Sequence, residues 1–494
     1  MSCKIVLIYF SYFCRDKKPL RRKMMEEPFD PFSDPETLEL ARRFEQMIRD
    51  DEYYFFDLDE FEELIDYYLF RNETKQADSC ITIALEQYPG ETRLLLKKAQ
   101  FLISANKHKK ALKILSDMEG SNFNDYEIHW AKGNLYSQLD LSEKAIEEYT
   151  LALNGSENLD DILSSIAFEY ENLGNYEKAI EFLKQVTVQN PANESSLYEL
   201  SFCYEVIQQT EQAVNFLEGY IEKHPFSKAA WFNLGTAYSN LDLYEKAIDA
   251  YDYCIAIDES FASAYFNKAN CYANLNNYPA AVETYLETSF HENPEPLTFY
   301  YIAECYEKME KYEAAIQYYS KSIDLDPDFA DAWLGTGIAY DALNNPKVAL
   351  TYVEHAIKLT PTVSDYWFLK GDIQLKLAQV EEGILSYRKV IELEPEDPEI
   401  WLELSMVYAE QKDFEKALEI LQEGTKWHKK NPDFLYASSI YLLKSGKTRN
   451  ACVTLEKALS MDYDGHRKIF KAFPDLRENQ TITDIIEGYR DKRR

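Results

Sequence analysis

The sequence predicts an all-α solenoid of antiparallel helix pairs, and three observations carry that reading. A 34-residue spacing recurs without slipping, glycine and proline number only 15 and 17 in 494 residues, and tyrosine and phenylalanine together number 65. So few turn formers argue against an all-β or α/β chain, and so many aromatics argue against disorder. Stepping 34 residues from Ala77 reaches Ala111, Ala145, Ala179, Ala213, Ala247, Ala281, Ala315, Ala349, Gly383, Ala417 and Ala451. A fixed period of this kind marks an array whose units cannot bury their apolar faces alone. The 494 residues are therefore read as one quasi-one-dimensional array with short caps.

Residues 1–24 are expected to be a basic, hydrophobic leader outside the fold. The apolar run Ile5–Phe13 is too short to cross a bilayer, which takes about 20 residues. Arg15, Lys17, Lys18, Arg21, Arg22 and Lys23 follow it, which is the wrong polarity for an export signal. Residues 25–57 are expected to form an N-terminal capping region. Asp34-Pro35-Glu36 reads as a helix start with an N-cap carboxylate and proline in the first turn, followed by Leu38, Ala41, Phe44 and Ile48 on one face.

Residues 58–465 hold the twelve units. Twelve positions before the alanine stands a small residue: Ala99, Gly133, Ala167, Ser201, Gly235, Ala269, Ala303, Gly337, Gly371, Ser405 and Ser439, with Ile65 the exception. Nine before it comes a tyrosine in nine units, and sixteen before it a bulky apolar residue such as Trp231, Trp333, Trp367 or Trp401. Pro89, Pro191, Pro225, Pro327, Pro361 and Pro395 fall twelve after it. In Trp231-Phe-Asn-Leu-Gly-Thr-Ala-Tyr238, Trp, Leu, Gly and Tyr share one face of a 3.6-residue helix. The small residue is a notch for the second helix, and the alanine is its counterpart there. Proline then marks the exit from that helix. In residues 466–494, Ile469-Phe470 and Thr483, Ile485 and Ile486 predict one or two short amphipathic capping helices.

These columns resemble the tetratricopeptide repeat (TPR) family, whose 34-residue helix-turn-helix carries Trp/Leu-Gly/Tyr, Ala and Pro in this order. The resemblance covers residues 58–465, and is weakest at 92–125 and 432–465, where Leu102 and Leu442 replace the tyrosine. It implies a right-handed superhelical solenoid with a concave groove lined by the first helix of each pair.

The formal net charge of −33 argues against nucleic acid and anionic lipid as partners. The eight cysteines form no C-x-x-C pair, and a reducing, cytoplasmic compartment is expected. Neither an enzyme nor a cofactor or metal site is expected. Lys444-Ser-Gly-Lys-Thr448 looks like the tail of a phosphate loop, but the first glycine of such a loop would fall at Tyr441, so Gly446 is read as an inter-helix turn. The seven histidines include no i, i+4 pair on a helix. His129 reads as packed core, as do Cys203, Cys254, Cys271 and Cys305.

The groove remains as the functional candidate. Residues 18, 15, 11, 8 and 7 before each alanine are expected to face it, and these 60 positions carry 16 acids against four bases, Arg93, Lys308, Lys376 and Lys444, where the whole chain has 86 against 53. Candidate binding residues are Glu171, Glu205, Glu304, Glu307, Asp341 and Asp372, with Phe168, Tyr198, Phe202, Phe232, Phe266 and Tyr300 beside them. Asn233, Asn267 and Asn270 could hold a ligand backbone. The expected function is a non-enzymatic scaffold that presents an acidic, aromatic trough to a basic peptide or protein. Alternatives are a co-chaperone-like adaptor gripping an acidic tail, for which the groove has few bases, and a substrate-presenting subunit of a separate enzyme such as a glycosyltransferase. Self-association through exposed ends is a further possibility.

Overall fold

Twelve helix pairs follow one another at the 34-residue step, from Leu58–Phe70 with Thr74–Gln87 to Pro432–Lys444 with Thr448–Met461. The computed structural model describes residues 34–119, 125–156, 159–292, 295–467 and 480–493, and none of these is in a strand. The expected leader at 1–24, and Ile469 and Phe470, lie outside the described residues. The chain divides into two compact units, residues 1–267 and 268–494.

The repeat columns explain why the helices pair. Every alanine of the 34-residue series is at most 3% exposed. The notch opposite it admits no more than it holds: a Cβ added at Gly133 would lie 2.4 Å from the Tyr149 ring, and one at Gly371 would lie 2.5 Å from the Tyr387 ring. Close approach of the helix backbones is thus set by residue size. Proline and tryptophan act together at the seams between pairs. The indole Nε1 of Trp231 donates to the carbonyl of Pro225 at 2.9 Å, and Trp333, Trp367 and Trp401 repeat the bond to Pro327, Pro361 and Pro395 at 2.9, 2.9 and 3.0 Å.

A further column runs through the turns between the helices of each pair. Asn72, Asn106, Asp140, Gly174, Gln208, Asp242, Asn276, Glu310, Asn344, Ala378, Lys412 and Gly446 all have φ between +54° and +81°, at the same 34-residue step. The next residue's N–H then bonds a carbonyl five positions back, as in Glu73 to Tyr68 at 2.8 Å, Leu243 to Tyr238 at 2.9 Å and Lys447 to Leu442 at 2.8 Å. This is a Schellman closure, and it satisfies a carbonyl that the helix end would otherwise strand. Gly446 is one of these turn residues, as the sequence reading expects. Asn, Asp and Gly tolerate the left-handed region; Gln208, Glu310, Ala378 and Lys412 do so at a cost of about 1–2 kcal/mol each. Ala378→Gly is therefore expected to stabilise its unit by about 1 kcal/mol, after allowing for glycine's freer unfolded chain. Urea unfolding checks this, and an unchanged or lower midpoint would contradict it.

In the first unit the helix Pro35–Asp50 packs on the first helix pair. The Asp34 carboxylate accepts from the N–H groups of Glu36 at 2.8 Å and Thr37 at 3.0 Å, as the N-cap reading expects. The buried stripe is Thr37, Leu40, Ala41, Phe44 and Met47, whereas Ile48 is 49% exposed. The expected face was thus rotated: Ala41 and Phe44 belong to both, but the cluster around Phe56, Phe61 and Tyr68 draws in Leu40 and Met47. In the second unit the helix Gln480–Arg493 inserts Ile482 and Ile486 into the cluster holding Trp401, Phe434, Tyr441 and Leu459.

Candidate interaction face

Within each unit, first helices of successive pairs touch one another: Glu194–Val206 meets Lys228–Asn240 in the first, and Pro296–Lys308 meets Ala330–Ala342 in the second. The candidate residues all lie on first helices of the pairs, in two sets, one in each unit. In the first unit lie Glu171 and Glu205, with Phe168, Tyr198, Phe202, Phe232 and Phe266. In the second lie Glu304, Glu307, Asp341 and Asp372, with Tyr300.

The aromatics mostly bridge neighbouring helices. The Tyr198 and Phe232 rings are 6.0 Å apart across successive first helices, Phe202 meets Tyr176 at 6.3 Å, and Phe232 meets Phe261 at 5.1 Å. Phe232 and Phe266 are buried, and Tyr300 packs on Tyr319 and Phe329 at 5.7 and 5.1 Å. Phe168, at 42% exposure, is the most open of the candidate aromatics. Two of the asparagines are engaged at one end of the amide by the fold itself. Asn233 Nδ2 donates to its own helix at Ala229 O, 2.8 Å away, and Asn270 Oδ1 accepts from the hydroxyl of Tyr285.

Several acids are already neutralised. Arg93 bridges back to Asp59 at 3.1 Å and Glu62 at 3.2 Å, Lys97 holds Asp66 at 2.5 Å, and Lys376 holds Asp341 at 2.5 Å. Among the described residues, no Lys, Arg or His nitrogen lies within ion-pair distance of Glu205, Glu304 or Glu307. Burial raises the carboxyls of Glu205, Glu307 and Asp372 above their ordinary range. It pushes Glu304 up to about 7, against a hydrogen bond from Tyr300 that favours the charged form. Desolvation disfavours a lone carboxylate, and a cation brought beside it reverses that effect.

The sequence reading missed the residues that hold these groups from behind. Four positions after the alanine, on the second helix, stand Tyr149, Tyr251, Tyr285, Tyr319 and Tyr387, each at most 3% exposed. The rings of Tyr149, Tyr251 and Tyr387 pack against the notch residues Gly133, Gly235 and Gly371, that of Tyr319 packs against Gly335, and the hydroxyls reach first-helix side chains. Tyr149 donates to Asn134 at 2.8 Å, Tyr319 to Glu307 at 2.9 Å and Tyr387 to Asp372, while Tyr251 shares a bond with Thr236 at 3.2 Å. The signal was in the sequence, since five tyrosines share one 34-residue column.

Other candidates fall away from chemistry. His129 is not sealed in a core: its Nδ1 lies 2.7 Å from Glu148 Oε2, in a pair that keeps some solvent contact. Burial pushes the Cys254 and Cys305 thiols up to about 12, so they are poor nucleophiles. Among the described residues, no three His, Cys, Asp or Glu side chains gather to hold a metal ion, and no helix is long and apolar enough to cross a membrane.

Three tetratricopeptide repeat models match the chain: one at residues 229–261 and 296–329, a second at 173–238 and 375–438, and a third at 126–154 and 262–287. The chain belongs to the tetratricopeptide repeat family. Twelve consecutive TPR pairs account for all but its end helices among the described residues. No curated protein sequence matches this TPR chain. Solved TPR structures do. YrrB, a TPR protein with an unusual peptide-binding site, is 20% identical over 37% of this chain and 94% of its own, with a TM-score of 0.32. The C-terminal part of a TPR protein from Cytophaga hutchinsonii is 20% identical over 49% and 99%, with a TM-score of 0.43. The APC/C hetero-tetramer Cut9–Hcn1 is 13% identical over 81% and 92%, with a TM-score of 0.38.

Proposed function

We propose that this TPR chain is a non-enzymatic scaffold whose first-helix faces seat basic segments of partner proteins. One observation carries the reading: Glu205, Glu304 and Glu307 are half-buried on those helices and, among the described residues, none of them is held in an ion pair. A lysine or arginine brought by a partner would supply the missing charge, and the hydrogen bond from Tyr319 already holds the Glu307 carboxylate in place. The co-chaperone-like alternative needs free bases for an acidic tail, and Arg93 and Lys376 are committed to Asp59, Glu62 and Asp341. The buried cysteines Cys80, Cys203, Cys254 and Cys305 are not paired with one another, which fits a cytoplasmic setting.

Affinity capture from the native cell at low and high salt tests the proposal, with the triple variant Glu304→Lys/Glu307→Lys/Asp341→Lys as the contrast. Wild type is expected to retain basic partners that elute as ionic strength rises, since screening shortens the reach of exposed charges to about 8 Å at physiological salt. The variant is expected to lose them. Recovery of the same partners by both chains would overturn the assignment of this face.

A further inference from the structure

Beside the first helices Glu194–Val206 and Lys228–Asn240 of the first unit lies a small polar cleft, lined by Ser201, Glu205, Thr210, Asn233, Thr236 and Asn240 together with Ala213 and Ala237. Two polar atoms here are buried and make no hydrogen bond: Ser201 Oγ and Asn233 Oδ1. Asn233 is 1% exposed, and its Nδ2 is used on Ala229 O, so the amide oxygen is the end left over. Glu205 completes the set, a carboxylate with no hydrogen-bond or ion-pair partner among the described residues. A buried acceptor left unmade is costly, so such groups are normally paired.

We propose that this cleft is a lysine-specific subsite, in which the ammonium group of a bound segment donates to Asn233 Oδ1, Ser201 Oγ and the Glu205 carboxylate. The inference rests on the reading of the first-helix face as a seat for basic segments, and it narrows that reading to one residue type at one place. An ammonium is a compact charge whose three donors can spread over acceptors on separate side chains, whereas a guanidinium is a planar fork of five donors suited to bidentate partners. Ser201 and Glu205 sit on one helix and Asn233 on its neighbour, and all three line the cleft. The alanines of the cleft are small enough to let a straight alkyl stem lie down. Thr236 Oγ1 is already engaged with Phe232 O at 3.1 Å and Tyr251 at 3.2 Å, so it adds shape more than hydrogen bonding.

The test uses the full chain and three fluorescent nonapeptide sets in a Gly/Ser background, carrying three Lys, three Arg or three Gln. Anisotropy titration is expected to give at least tenfold tighter binding for the Lys set than the Arg set. That preference should vanish in Glu205→Gln and in Asn233→Leu, and persist in Glu304→Gln/Glu307→Gln. Glu205→Gln keeps the side-chain shape, so it remains informative should Asn233→Leu lower the melting temperature. Equal binding of Lys and Arg sets, both above Gln, would overturn the subsite and leave the basic-segment reading standing. Equal binding of all three would overturn both. A lysine preference untouched by Glu205→Gln and Asn233→Leu would also overturn the subsite.

Discussion

Tyr319→Ala is expected to cost the second unit about 4 kcal/mol, in the range for removing a large aromatic from a core. The ring is 1% exposed, packs on Tyr300 at 5.7 Å and fills the space where a Cβ at Gly335 would otherwise stand, 2.3 Å from its Cζ atom. Truncation would open a cavity between two pairs and remove the donor from Glu307 as well. Tyr319→Phe separates the two effects. It keeps the ring and loses only the bond to a carboxylate, worth about 1.5–3 kcal/mol. Denaturant unfolding with hydrogen exchange across residues 296–342 would read both. An alanine variant within 1 kcal/mol of wild type would show that the seam between these pairs does not depend on the ring. A repeat array need not unfold in one step, so local exchange is the sharper readout.

The pH dependence of the second unit is expected to run opposite to that of a salt-bridged protein. Burial lifts the Glu304 carboxyl from 4.5 to about 7, so the folded chain holds a proton that the unfolded chain releases. Stability from this group is complete below about pH 4.5, declines as pH rises through 7 and is flat above, with about 3 kcal/mol as the ceiling at this partly solvated position. Glu304→Gln should flatten the curve between pH 5 and 8; a wild-type curve already flat there would refute the assignment. Binding of a lysine-rich peptide to this face should move the other way, tightening about tenfold or more from pH 5.5 to 8 as the competent carboxylate becomes populated.

The helix pairs were legible because packing demands a particular size at a particular step. The alanine column, the notch residues and the Trp and Pro positions all answer to steric needs that leave a mark in residue type. The turn column was not seen, although it is as regular, because its requirement is a backbone angle. Asn, Asp and Gly advertise that angle, but Gln208, Glu310, Ala378 and Lys412 adopt it without doing so. The acids of the first helices could be counted in the sequence, but how each is engaged could not be read there. Counting acids could not show that Arg93 and Lys376 already answer Asp59, Glu62 and Asp341, since those pairs join successive repeats 31 to 35 residues apart and depend on side-chain reach. Nor could it show that Phe232 is spent on packing against Tyr198 and Phe261. The N-terminal helix was misjudged by one position in its buried stripe because its rotation is set by the cluster around Phe56, Phe61 and Tyr68, which the spacing of its own residues does not reveal.

The identity of the twelve left-handed turns makes the chain a text written in interchangeable words. A cut at any one of these residues and a join at another would remove or add whole multiples of 34 residues, and the closing bond at the junction would be the same bond. Alanine, notch and turn form the grammar, and the acids, amides and hydroxyls of the first helices the vocabulary. Change in one need not disturb the other. A lineage built this way can revise what it recognises, or how many recognition elements it carries, by duplication and point substitution while its architecture stays constant.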